Sequence, residues 1–227
     1  MQLACGRRAL AATRCLLCVL APASPAFAQR NPKLERLTLR PADQMLVRHA
    51  LVGVAEISPG WTKLPQRPDD ARPPGCRRAA LDLSGFTITG QADAFFTDHR
   101  GDWLHARARA YASERQADSA FSSITDAARR CNVDAVTHRF FSAATTTVKL
   151  LAHDHSALPL GQHAVADQIL ASVTTGNKHG HLYVCAIDFV TDRYFATLVL
   201  TSTQARVNTL VLARIIERRL PADTPAA

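Results

Sequence analysis

The sequence predicts an α+β domain in which an antiparallel β-sheet of about six strands carries helices packed mainly on one face. Three observations predict it. Stretches of alternating apolar and polar residues recur from Leu83 onward. One strongly amphipathic, capped helical stretch interrupts them, and a second helical stretch follows the last of them. The connections among the later strands are too short for parallel crossovers, so those strands must run antiparallel.

Residues 1–28 read as a cleavable export signal. Arg7, Arg8 and Arg14 form a positive start, Cys15 to Ala21 an apolar core, and Ala26-Phe27-Ala28 a small-residue cleavage site. The apolar run is shorter than the roughly 20 residues of a membrane-spanning helix and is broken by Pro22 and Pro25, so no stable membrane insertion is expected after cleavage. Arg14 and Leu17, preceding Cys15 and Cys18, do not form a lipidation box.

Residues 29–75 are expected to hold a helix and a linker. Pro41-Ala42-Asp43 places a proline and an acid at a helix start, and the helix runs to about Val52 with Met45, Leu46, His49 and Ala50 near one face. Pro59-Gly60-Trp61 makes a turn, and Leu64 to Gly75 is rich in arginine and proline.

Residues 76–220 form the main domain, with 221–227 as a disordered tail. Phe86 and Ile88 alternate with Thr87 and Thr89 in a first strand, and a second spans about Asp102 to Tyr111. Asp98-His99-Arg100-Gly101 is the hairpin turn between them. Leu104, Ala106, Ala108 and Ala110 give the second strand a low apolar face, while Trp103, His105, Arg107, Arg109 and Tyr111 line the opposite one. Ser113 and Gln116 have capping-box spacing for a helix over about Glu114 to Arg130, whose Ala117, Ala120, Phe121, Ile124, Ala128 and Cys131 stripe should lie on the alanine face. A short helix to about Phe141 follows. Strands are then expected over Thr145–Ala152, Val165–Thr174, His181–Val190 and Arg193–Thr201, the last three as a meander. A closing helix from about Thr203 turns Val207, Leu210, Val211 and Ile215 inward before Pro221 stops it.

The chain carries 27 Lys and Arg against 19 Asp and Glu, and cleavage removes three arginines, leaving a modest excess. The basic residues are scattered, with no stripe, zinc-finger spacing or stacking module beside them, so nucleic acid is not an expected partner. Three cysteines leave with the signal, and Cys76, Cys131 and Cys185 enter an oxidising space. Three pairings are open. Cys185 shares a strand face with Tyr183, Ile187 and Phe189 and suits a buried free thiol, so the disulfide is expected between Cys76 and Cys131.

Chemistry is sparsely signalled. No serine nucleophile elbow, phosphate-cradling glycine loop or zinc-protease helix motif occurs, no cofactor is required, and no enzymatic activity is expected. His153 with His155, and His179 with His181, each place two imidazoles on one side of a strand, as a metal ion would need. The row Trp103, His105, Arg107, Arg109 and Tyr111 sets aromatic rings beside guanidinium groups, which suits an anionic or planar ligand.

The succession Asp43-Gln44, Pro59-Gly60-Trp61, Cys76, Gly90, Tyr111-Ala112-Ser113, Ala117, Phe121, Cys131 and Leu160-Gly161 resembles secreted or membrane-tethered sensor-like domains of actinobacteria. The extracellular sensor domain of the mycobacterial serine/threonine kinase H is of this kind. The resemblance implies an antiparallel sheet carrying helices, a disulfide anchoring the long helix, and a cleft for an unidentified ligand. It covers the middle third of the mature chain, and the remainder matches only in the order of elements. Departures are the missing kinase domain and membrane span, three cysteines in place of two pairs, and Gln162 where such domains often carry an acid. The expected product is a secreted or periplasmic, non-enzymatic domain that binds an envelope ligand over Trp103, Arg107, Arg109 and Tyr111. Metal carriage by the histidine pairs and a purely structural or protein-partner role are the alternatives.

Overall fold

The computed structural model describes residues 34–65, 82–129, 146–203 and 207–221. The expected signal, the arginine- and proline-rich linker beyond residue 65, Cys76, Cys131, the short helix to Phe141 and the tail beyond residue 221 lie outside the described residues.

Eight strands form one sheet. They are β1 (Arg36–Leu37), β2 (Trp61–Leu64), β3 (Thr87–Asp98), β4 (Trp103–Tyr111), β5 (Thr146–Ala157), β6 (His163–Thr175), β7 (Lys178–Thr191) and β8 (Tyr194–Ser202). The spatial order is β1-β3-β4-β8-β7-β6-β5, with β2 on the same edge of β3 as β1 but at its other end. Only β1 runs parallel to its neighbour. The α+β class and the meander hold, whereas about six strands becomes eight. The additions are β1 and β2, two and four residues long, too short to show an alternation.

Four helices complete the described fold: α1 (Pro41–Ala50), α2 (Val54–Ile57), α3 (Glu114–Arg129) and α4 (Thr209–Arg219). They occupy both faces of the sheet, which corrects the expectation of mainly one. Leu104, Ala106, Ala108 and Ala110 pack with Val47 and Ala50 of α1 and with Leu212, Ala213 and Ile216 of α4. The long helix α3 lies on the other side. Its Ala117, Ala120, Phe121 and Ile124 cluster with Ile88, Tyr111, Val165, Val190 and Phe195. Small side chains permit close docking, but they do not say which helix docks. Phe121 meets Phe195 edge-on at a centroid distance of 6.0 Å.

The helix N-terminus also departs from the full capping box. Ser113 Oγ accepts from the Gln116 amide at 3.4 Å, but the Gln116 side chain turns away and accepts from the Thr87 amide at 2.8 Å. One residue thus caps the helix and the other ties it to β3.

The phase of α1 differs from expectation, because its inward residue is charged. Asp43, Val47 and Ala50 are buried and Met45 is exposed. The Asp43 carboxylate accepts two hydrogen bonds from the Arg193 guanidinium, at 2.6 and 2.9 Å, joining α1 to the β7–β8 turn. Burial pushes the carboxyl up less than its Arg193 hydrogen bond pulls it down, so it stays below its ordinary range. Gln44 accepts from the Gln91 amide and donates to the Gln91 carbonyl, as a strand residue would. Gly90 makes this approach possible: a Cβ there would lie 2.7 Å from the Asp43 backbone carbonyl.

The α4 phase also shifts. Thr209, Leu212, Ala213 and Ile216 are buried, Val207, Leu210 and Ile215 are partly buried, and Val211 is exposed. The helix begins at Thr209, not near Thr203, because Asn208 caps it by accepting from the Val211 amide at 3.2 Å. No helix among the described residues is long and apolar enough to cross a membrane.

Candidate binding face

Strand register places the predicted row on the α3 side of the sheet. Opposed residues of antiparallel strands share a face. Asp93 opposes Arg107, which opposes Thr197, which opposes Asp188. In the next row Phe95, His105, Val199, Ala186, Asp167 and His155 follow one another across six strands. Trp103 lies beyond them, opposite Thr97 and Thr201.

The five predicted residues divide into two groups. Tyr111 is fully buried beneath α3, edge-on to Phe86 at 6.4 Å. Arg109 is buried as well, its Nη1 donating to Glu35 Oε1 at 2.7 Å, with both side chains 4% exposed. Neither is a groove floor, and this overturns their expected exposure. Glu35 lies 74 residues earlier, in a segment that reads as plain polar sequence.

Trp103, His105 and Arg107 remain half-buried. Asp93 Oδ1 joins the latter two, 2.7 Å from His105 Nε2 and 2.6 Å from Arg107 Nε. Burial works to raise the Asp93 carboxyl, but the hydrogen bond from His105 and the charge and hydrogen bond of Arg107 outweigh it and bring it down to about 2. The His105 ring lies flat on Phe95, with centroids 4.2 Å apart and planes within 6°. Thr197 donates to the buried Asp188 at 2.7 Å. The face is therefore an aromatic platform with an anchored, charge-balanced guanidinium, rather than a bare cationic strip.

Asp93 and Phe95 escape a reading made strand by strand. The signal is present in the alternation of β3, but pairing them with Arg107 and His105 requires the register across the hairpin.

The histidine pairs separate. His153 and His155 share the α3 side, and His155 Nδ1 lies 2.6 Å from Asp167 Oδ1. Arg129 Nε donates to His155 Nε2 at 3.2 Å, so the ring is held between Arg129 and Asp167. His179 and His181 point to the other face, by their register against Thr174 and Ser172. Among the described residues no group of three or more His, Cys, Asp or Glu is placed to hold a metal ion.

Cys185 is partly buried, with Sγ 3.1 Å from Thr209 Oγ1, and burial pushes its thiol up. An open hollow of about 580 Å³ lies on α1, lined by Pro41, Gln44, Met45, Arg48 and His49.

No protein-family model matches the sequence, and no curated protein matches it. Several solved chains are similar in shape. The extracellular domain of PknH from Mycobacterium tuberculosis aligns over 80% of this chain and 98% of its own, with a TM-score of 0.45 and 10% identity. A likeness that low settles neither fold nor ligand, and the functional reading rests on the geometry of the face itself. Gln162 has its own local account. Its Oε1 accepts from the Asp192 amide at 2.8 Å while its Nε2 donates to Glu114 at 2.6 Å, and a carboxylate lacks the donor for the second bond.

Proposed function

We propose that the chain is an exported, non-enzymatic binding module whose ligand is an uncharged or weakly charged ring-bearing component of the cell envelope, with a glycan as the leading class. The signal-like pattern of residues 1–28 supports export. The observation that carries the binding reading is the platform of Trp103 beside the stacked Phe95 and His105, with the Arg107 charge matched by Asp93.

Aromatic faces beside a few fixed polar groups suit ligands that present an apolar ring face and hydroxyls at its edge. The Nε bond of Arg107 to Asp93 fixes the plane in which its guanidinium lies beside the rings. An anionic ligand fits less well, because the charges of Arg107 and Arg109 are matched by Asp93 and Glu35.

The test is binding of the purified chain to peptidoglycan fragments, soluble envelope polysaccharides and anionic lipid vesicles. Trp103→Ala and His105→Ala are expected to lower glycan affinity about tenfold or more, the cost of losing a central aromatic anchor, with far-ultraviolet circular dichroism unchanged. Glycan binding that survives both substitutions, or selective binding of the anionic vesicles, overturns this assignment.

A further inference from the structure

The two edges of the sheet are treated differently. On one side the β3 edge is partly covered by the short strands β1 and β2. On the other, β5 is the last strand over its whole length of 12 residues, and among the described residues nothing pairs with its outer side. A long bare edge without proline offers a template for another strand.

The sequence of β5 complements itself about its own midpoint. Between Leu150 and Ala152 the ladder with β6 slips by one residue, and Leu151 is the extra one. Before the slip Val148 and Leu150 oppose Val173 and Ala171, and after it His153 and His155 oppose Ile169 and Asp167. All four therefore share the α3 side, which leaves Lys149 and Asp154 together on the opposite side. In a regular strand two residues five apart would lie on opposite faces.

A two-fold pairing that sets Lys149 against Asp154 of a second copy also sets Val148 against His155, Thr147 against Ser156 and Thr146 against Ala157. Each pair matches in face. The overlap is the entire strand, and Leu151, 48% exposed, meets Ala152 next to the axis. Lys149 and Asp154 are both exposed, and no ion pair joins either to another described residue. We infer that β5 is a homodimerisation edge, paired antiparallel with β5 of a second copy in the register Lys149 to Asp154.

Sedimentation velocity and light scattering on the purified full chain over a wide concentration range test this. A reversible dimer is expected. Lys149→Glu or Asp154→Lys alone puts like charges opposite each other twice per dimer and should weaken association about tenfold or more. The double reversal Lys149→Glu with Asp154→Lys should restore it, and circular dichroism checks that each variant is folded. A chain that stays monomeric at all concentrations overturns the inference, as does a dimer indifferent to both single reversals or one that the double reversal fails to rescue.

Discussion

Asp93 offers the sharpest physical test of the face. In the folded chain its side chain is 3% exposed and its carboxyl titrates at about 2, against an ordinary 3.8. That difference corresponds to about 2 kcal/mol of stability at neutral pH, a large share of the roughly 5–15 kcal/mol typical of a domain. The sign follows from the direction. A depressed carboxyl stabilises fully above its unfolded value, and the contribution fades as pH falls from about 4 toward about 2.

Asp93→Asn keeps the shape and removes the charge. Urea unfolding of wild type and variant at intervals from pH 7 to pH 2.5 should show the variant weaker by about 2 kcal/mol at neutrality. The gap should narrow as the solution is acidified below pH ~4, because the wild type loses what the variant already lacks. Parallel curves separated by a constant gap down to pH 2.5 would refute the claim that His105 and Arg107 hold this carboxyl down.

Removing Arg109 alone by Arg109→Met should cost about 3–5 kcal/mol in urea unfolding by leaving Glu35 buried without its partner, and Glu35→Leu added to it should recover most of that; a double variant as weak as the single would show that the pair is not the cause. Gly90→Ala should lower stability by about 1–3 kcal/mol, since the added methyl meets the Asp43 carbonyl, and a change under about 0.5 kcal/mol in thermal or urea unfolding would contradict that contact. Cys185 should label slowly with iodoacetamide at pH 8 in the native state and quickly in denaturant, as followed by peptide mass spectrometry, because burial holds its thiol protonated.

What the sequence carries and what it withholds divide along a physical line. Alternation in β4 separates its two faces correctly, and the stripe on α3 reports the residues that the helix buries. Neither pattern says which helix covers which face. That choice follows from Gly90, which admits α1 against the alanine side, and from Tyr111 and Phe195, whose rings need the depth beneath α3. The inward phase of α1 is hidden for a related reason: hydrophobic periodicity does not register Asp43, whose burial depends on Arg193 in a distant hairpin.

The candidate face is legible in outline only. Trp103, His105 and Arg107 are correctly grouped on one side of β4, but Arg109 reads as a surface arginine until Glu35 is brought to it. Asp93 and Phe95 become partners of the row only through pairing across the β3–β4 hairpin. The histidine pairs fail to converge because β5 and β7 present them to opposite sides of the sheet.

The bond between Asp43 and Arg193 joins residues 150 positions apart, and Arg219 reaches back 163 positions to Glu56. An emerging chain can seat its first helix on β3 and β4, but the Asp43 carboxylate lacks its guanidinium clamp until the turn between the seventh and eighth strands has been made. Premature closure around the leading segment is disfavoured by this wiring, since loops of such span close late and repay their entropy only at completion. The leading segment is thus fastened in two late steps, first by Arg193 in the last hairpin and then by Arg219 in the closing helix.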